Sequence, residues 1–369
     1  MNKKEASIKN RIQIFIILLV WGILALLCWF LPRQEISEGE RRKLAQFPTI
    51  SWSSIMKGSY AEKFEEAAAD QFPMRETVRS IRAVTDTYGF RKKDVHGIYL
   101  AEGYLAESLY PLRESSVHNA GEKCESIYQE WLAGTDTSVY AAIIPDKGYY
   151  LSGENGYLTP DYEQMKIIME EEFPEAEWIP IEDTLSIEDY YATDSHWRQE
   201  QLEETANRLL DAMGGEALQG LEQKQALEEF RGVYAGQSAL PVRGEPMYYL
   251  TNDVLEQCQV YHVENGKTLG IYEEEKLTGR DPYEFFLSGS TAIAMIENPQ
   301  CTTGRELVVF RDSFGSSMVP LLVQSYSRVT VIDTRYVNPE LIGDYVEFKN
   351  QDVLFLYSTL LLNESETMR

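Results

Sequence analysis

ELVVFRDSFGSSMVPLL, residues 306–322, holds a strand, a turn and a helix in seventeen positions. Leu307-Val308-Val309-Phe310 is a short apolar run, β-branched at its centre, and reads as a buried strand. After it, Met318, Val319, Leu321, Leu322 and Tyr326 are spaced closer to a helix face. Pro320 lies within that helix's first turns, where proline is tolerated best. The turn between them is Arg311-Asp312-Ser313-Phe314-Gly315. A serine at the end of a strand, just ahead of a helix N-terminus, is placed to act as a nucleophile. Backbone N–H groups and the helix dipole there favour a developing negative charge. A plainer reading also fits the segment, in which Ser313 or Ser316 is only an N-cap.

Further strands and helices alternate around this unit. Residues 138–144 read as a buried strand ended by Pro145, and residues 329–332 and 353–357 as sheet strands. Residues 60–69, 76–88, 115–132, 161–173 and 198–213 read as helices, the last starting just after His196. GIYLAEGYL, residues 97–105, reads as a hairpin. Residues 214–240 are polar and glycine-rich, and residues 247–269 suggest strands near an insertion. The alternation predicts an α/β sandwich with a mainly parallel sheet, whose sites lie at the carboxyl ends of strands. Ser313 meets that condition.

A base for the serine is offered by YYATDSHWRQE, residues 190–200. Of the four histidines, only His196 has a carboxylate and a tryptophan beside it in sequence. Asp194, two residues away, can share a cavity with it in an extended or turn conformation. The aspartate would accept from one imidazole nitrogen, fix the tautomer and leave the other to take the serine proton. The competing reading is a surface Asp–His pair beside a half-buried tryptophan. One isolated histidine without a cysteine pair makes a poor metal set, so no metal site is expected. Nothing points to a nucleotide or redox cofactor.

Residues 12–31 form an apolar stretch of the length a bilayer demands, preceded by Lys3, Lys4, Lys9 and Arg11. Its bulky end, Cys28-Trp29-Phe30-Leu31-Pro32, does not resemble a cleavage site, so an uncleaved signal-anchor is expected. The positive-inside rule then places residues 1–11 in the cytoplasm and Trp29 at the far interface. Residues 32–57 would be a juxtamembrane linker and residues 58–369 an extracytoplasmic domain. The formal net charge of −25 disfavours a nucleic-acid partner, which needs a basic face. It also warns against assuming an acidic polymer as the substrate, with a local basic groove around Arg311 and Arg335 as the open alternative. Three cysteines beyond the apolar stretch imply no disulfide framework.

Several blocks together resemble the DHHW protein family and the related alginate O-acetyltransferases of the AlgJ and AlgX type. SEGERRKLAQFP (37–48), GSYAEKFEEAAADQFPMRE (58–76) and AAIIPDKGYYL (141–151) come before YYATDSHW. FRGVYAG (230–236), DPYEFFLSGS (281–290), VVFRDSFGSSMVPLL (308–322) and VIDTRYVNPE (331–340) come after it. The order of these blocks is more specific than any one of them. The family's usual motif is Asp-His-His-Trp, and this chain has Ser195 at the first histidine.

The resemblance implies an SGNH-hydrolase-like three-layer α/β/α sandwich. It implies Ser313 as nucleophile, His196 as base and Asp194 as its orienting acid. By the same resemblance Gly289, Lys147 and Tyr336 are substrate or oxyanion candidates. The implied activity is O-acetylation of an exopolysaccharide or cell-wall glycan through an acyl-serine. A multi-pass membrane-bound O-acyltransferase would be the acyl-supplying partner. A carbohydrate acetylesterase with the same triad, or a non-catalytic scaffold for that partner, are the alternatives.

Overall fold

The computed structural model describes residues 3–37 and 39–369, without the side chains of residues 3–8 and Trp29. The expected interfacial placement of Trp29 therefore lies outside the described side chains. Helix α1, Lys3–Phe30, contains a stretch, Lys9–Cys28, long and apolar enough to cross a membrane. At 1.5 Å per residue, twenty residues cover about the 30 Å of a hydrocarbon core.

The chain divides into two compact units, Met1–Val95 with Gly236–Pro241, and His96–Ala235 with Val242–Arg369. The first holds α1, a two-stranded pairing of Ile36–Ser37 with Arg42–Lys43, and helices Trp52–Met56, Ser59–Asp70 and Arg75–Val84. The second holds an eight-stranded sheet. In chain order its strands are β1 (Ser138–Ile144), β2 (Glu177–Trp178), β3 (Gln259–His262) and β4 (Lys267–Leu269). Then come β5 (Ile293–Glu297), β6 (Glu306–Arg311), β7 (Arg328–Ile332) and β8 (Asp352–Ser358). Their order across the sheet is β4-β3-β5-β7-β6-β8-β1-β2. The five strands from β7 to β2 are parallel, and β5, β3 and β4 extend the sheet antiparallel at one edge.

Alternation along β6 makes the sandwich. Leu307 and Val309 face one core with Leu209 and Leu210 of helix α4 below and with Met318, Leu321 and Leu322. Val308 and Phe310 face the other core with Val117, Ala120, Met165 and Ile168. The helices that supply these residues are α2 (Glu114–Ile127), α3 (Tyr162–Glu172), α4 (Glu203–Ala212) and α5 (Gly315–Leu322). A strand buried on both faces reads as a continuous apolar run, which is why LVVF stands out. From β6 the chain passes through α5 to β7 on one side and returns as β8 on the other. Ser313 thus sits at the point where strand order reverses, the usual place for a site in an open α/β sheet.

Two sequence expectations shift. The helix expected over 198–213 begins as a 3-10 turn, Gln199–Gln201, and becomes α-helical only at Glu203. The polar stretch 214–240 contains a nine-residue strand, Glu222–Phe230, paired with Glu245–Thr251. Strand β5, paired on both sides between β3 and β7, follows the DPYEFFLSGS block and has no counterpart among the sequence expectations.

Candidate active site

Ser313 lies two residues beyond β6, between buried Asp312 and buried Phe314, and is itself partly exposed. The turn is held from below. Asp312 accepts at Oδ2 from the Ser358 N–H and hydroxyl at 2.8 and 2.5 Å, and at Oδ1 from the Phe314 N–H at 3.0 Å. Arg311, fully buried, donates to the Asp312 carbonyl at 3.2 Å and to the Gly289 carbonyl at 2.9 Å. A Cβ on Gly315 would come within 2.7 Å of the Arg311 side chain, so only glycine lets α5 start this close to the strand.

His196 Nε2 lies 2.8 Å from Ser313 Oγ, and His196 Nδ1 lies 2.5 Å from Asp194 Oδ1. For Nε2 to accept from the serine hydroxyl, Nδ1 must carry the ring proton and donate to Asp194. Asp194 is fully buried, and its second oxygen accepts from the Val233 N–H at 2.7 Å. Ser195, at the family motif's first histidine, has its hydroxyl 3.3 Å from His196 Nδ1 and 3.4 Å from Asp194 Oδ1.

The histidine ring is fixed on its faces as well as its edges. Tyr283 stacks on it with centroids 3.9 Å apart and planes 9° from parallel. The Tyr283 hydroxyl is 2.7 Å from Ser317 Oγ, and burial pushes that phenol well above its usual range, so it stays neutral. Trp197 donates from Nε1 to the Phe314 carbonyl at 3.0 Å and to Ser317 Oγ at 2.9 Å. Gln199 donates to the Ser317 carbonyl at 2.8 Å. These bonds tie the segment that carries His196 to the first turn of α5, which follows Ser313.

The loop from Tyr191 to His196 is closed by an isolated bridge between Tyr190 and Trp197. Glu245 accepts from the Ala192 N–H, the Thr193 N–H and the Thr193 hydroxyl, each at 3.0 Å. Lys147, buried, donates to the Tyr191 carbonyl at 2.9 Å, with its ammonium 5.0 Å above the Tyr234 ring. Burial lowers its pKa to about 7, against the opposing pull of Asp194, Glu245 and Asp146.

Asp194, His196 and Ser313 are therefore brought together. Lys147 is buried and bonded to the Tyr191 carbonyl at the start of the loop that carries Asp194 and His196. Gly289 donates its N–H to the Phe286 carbonyl and gives its own carbonyl to Arg311, so both backbone groups are engaged in the wall. Tyr336 is half exposed, its ring 5.5 Å from the Arg335 guanidinium, and takes no part in the hydrogen-bonded set around Ser313. Tyr283, Glu245 and Gly232 are supporting residues that sequence reasoning did not single out. Gly232 and Tyr283 lie inside the FRGVYAG and DPYEFFLSGS blocks, and Glu245 has no local signal. Among the described residues no cluster of metal-binding side chains is present, and the cysteines are free.

The model of the DHHW protein family matches residues 261–332, which include Ser313 but not the Asp194–Trp197 motif. No curated protein matches. Among solved structures, a DHHW family protein from Eubacterium siraeum is 20% identical over 73% of this chain and 93% of its own, with a TM-score of 0.59. Bacillus cereus PatB1 is 16% identical over 72% of this chain and 96% of its own, with a TM-score of 0.56. PatB1 with a sulfonyl adduct is 16% identical over 72% of this chain and 97% of its own, with a TM-score of 0.55. The resemblance read from the sequence holds: this chain is similar to DHHW proteins in sequence over residues 261–332, and it shares their α/β fold over most of its length.

Proposed function

We propose that this chain is a membrane-anchored O-acetyltransferase that modifies hydroxyls of an extracellular glycan, with Ser313 as nucleophile, His196 as base and Asp194 as the orienting acid. The observation that carries the reading is the continuous chain Ser313 Oγ–His196 Nε2 at 2.8 Å and His196 Nδ1–Asp194 Oδ1 at 2.5 Å, at the end of β6. A bland N-cap serine needs no such partner. In the first half-reaction Ser313 Oγ bonds to the acyl carbonyl carbon as its proton passes to His196 Nε2. The donor's leaving group departs with that proton, and Ser313 holds the acyl group as an ester. A sugar hydroxyl then gives its proton to Nε2 and its oxygen to the acyl carbon. Ser313 Oγ leaves and recovers the proton. Asp194 keeps the imidazole in one tautomer and stabilises the imidazolium. The Ser313 N–H at the strand end is the first candidate for holding the oxyanion.

The apolar stretch of α1 supports the anchor, and the positive residues before it support an extracytoplasmic outer domain. A multi-pass membrane O-acyltransferase is the partner that would deliver acyl groups to that side.

The test uses the full chain in detergent with a chromogenic acetyl ester, following acetate release and the intact mass. An acetyl adduct and turnover are expected, both reduced by about a thousandfold or more in Ser313→Ala and His196→Ala. PatB1 has been solved with a sulfonyl adduct, so a sulfonyl fluoride is a second probe, expected to label wild type and not Ser313→Ala. Added glycans that accept the acetyl separate a transferase from an esterase. A folded protein with no turnover and no adduct would leave the scaffold reading.

A further inference from the structure

Helix Arg75–Val84 in the first unit carries an exposed apolar stripe. Two of its charged residues face inward: Arg75 pairs with Glu40 and Asp70, and Arg79 with Glu40 and the Gly236 carbonyl, while Glu76 and Arg82 stay 57% and 73% exposed. The Arg75 and Arg79 side chains are only 12% and 15% exposed. Apart from buried Ala83 and half-buried Val84, its apolar residues face out. Met74, Val78 and Ile81, spaced for one helix face, are 72%, 46% and 61% exposed, and Tyr88 extends the line at 64%. Helix Trp52–Met56 of the same unit buries no residue, and Trp52 and Met56 are 77% and 72% exposed. A helix of a soluble domain turns its apolar stripe to the core, so an outward stripe marks a surface that something apolar covers.

We infer that this face of the first unit lies in the interface of the bilayer that α1 crosses, with Met74, Val78, Ile81 and Tyr88 toward the acyl chains. The inference rests on the reading of Lys9–Cys28 as membrane-spanning and is independent of the acyl-transfer chemistry. Two further observations choose lipid as the occupant. Trp52 follows Cys28 by about 24 residues, a span of at most about 80 Å, so the unit cannot leave the neighbourhood of the membrane. Charge is divided in the same sense. Residues 32–95 carry twelve Lys and Arg against ten Asp and Glu, whereas residues 96–369 carry eighteen against forty-eight. An anionic leaflet repels the second unit and tolerates the first, where Arg91, Lys92 and Lys93 directly follow the stripe. Exposed Trp and Tyr are the side chains that favour the headgroup level.

The test reconstitutes the full chain in phosphatidylethanolamine–phosphatidylglycerol vesicles doped with a lipid carrying a diazirine just below its headgroup. After irradiation, adducts are mapped by mass spectrometry. Adducts are expected in residues 12–31, in 52–56 and in 74–90. In the double variant Val78→Asp, Ile81→Asp those in 74–90 should be lost, with residues 12–31 still labelled and ester turnover intact. Labelling of wild-type residues 12–31 with none in 74–90 overturns the inference and gives the face to a protein surface. No adduct in either segment removes the anchor and the inference together, while leaving the turnover assay untouched.

Discussion

A methyl group at position 232 would sit 2.1 Å from the Asp194 Cβ and 2.4 Å from its Oδ2. Neither side can yield, because the Gly232 N–H donates to Thr193 at 3.0 Å and the next N–H holds Asp194. Gly232→Ala is therefore expected to cost about 1–3 kcal/mol in denaturant unfolding and to lower ester turnover further, by displacing the carboxylate from His196. Unchanged turnover would mean that Asp194 is not needed where it stands. Lys147 carries a pH effect. Its folded pKa of about 7 lies below the unfolded value near 10.5, so between these limits the unfolded chain binds more protons. Stability contributed at this site is lowest below about pH 7, where an ammonium must stay buried, and rises toward about pH 10. Lys147→Met keeps the bulk and removes the titration. The wild-type stability minus that of the variant should thus increase from pH 6 to pH 9, and a flat difference would show that the lysine is not buried as described. Ser313, His196 and Asp194 were legible in sequence because each has a reactive type in an informative neighbourhood. Gly232 and Tyr283 were not, because their roles, a close backbone approach and a stacked ring, exist only once distant segments meet.

The segment between Tyr190 and Trp197 behaves as one element, a loop pinned at its stem by the bridge between these residues and along its backbone by Glu245. Replacing that carboxylate by an amide keeps the shape but cannot accept from all three donors. With His196 as the proposed base, Glu245→Gln is expected to lower kcat for the acetyl ester about ten- to a hundredfold with little change in KM, since the loop would orient that base rather than bind substrate. A rise in KM alone would place Glu245 in substrate binding instead. Strands whose apolar runs are buried on both faces, β1, β6, β7 and β8, were readable for that reason. Glu222–Phe230 was not. Its sequence, EQKQALEEF, is rich in helix formers, most of its side chains face solvent, and its register on Glu245–Thr251 is twice interrupted. Tertiary pairing there overrides local propensity. The late start of α4 has a similar cause, because Gln199 is drawn from the helix to bond the Ser317 carbonyl and the Leu250 N–H.

Taken as a whole, the molecule is two electrostatic bodies on one chain. The unit that carries Ser313 has a formal charge near −30 from the counts of residues 96–369, and the tethering segment before it is slightly basic. Composition alone revealed the total. The division emerged only when the compact units were known, since nothing in the local sequence marks residue 95 as a boundary. On the proposed reading, the charge bears on which glycan can approach Ser313. An anionic polymer must enter against the field of the whole unit, and that field is screened over about 10 Å at 0.1 M salt and about 30 Å at 0.01 M. Transfer to a uronate-containing oligosaccharide should therefore show a KM that falls several-fold as sodium chloride is raised from about 0.01 to about 0.1 M, whereas a neutral oligosaccharide should show almost no change. The chromogenic ester, uncharged and small, serves as the control for any effect of salt on the chemistry itself. A KM for the anionic acceptor that rises with salt would point the other way, to a basic groove around Arg311 or Arg335 dominating at close range. Arg311 is fully buried, both arginines pair with Asp333, at 3.6 and 2.6 Å, and Asp312 acts on both as well, so two carboxylates answer the two charges before an acceptor arrives. If Ser313 transfers acyl groups as proposed, the repulsive field is then the one an incoming glycan meets, and a neutral or amino-sugar polymer is the acceptor that the charge of this molecule would favour.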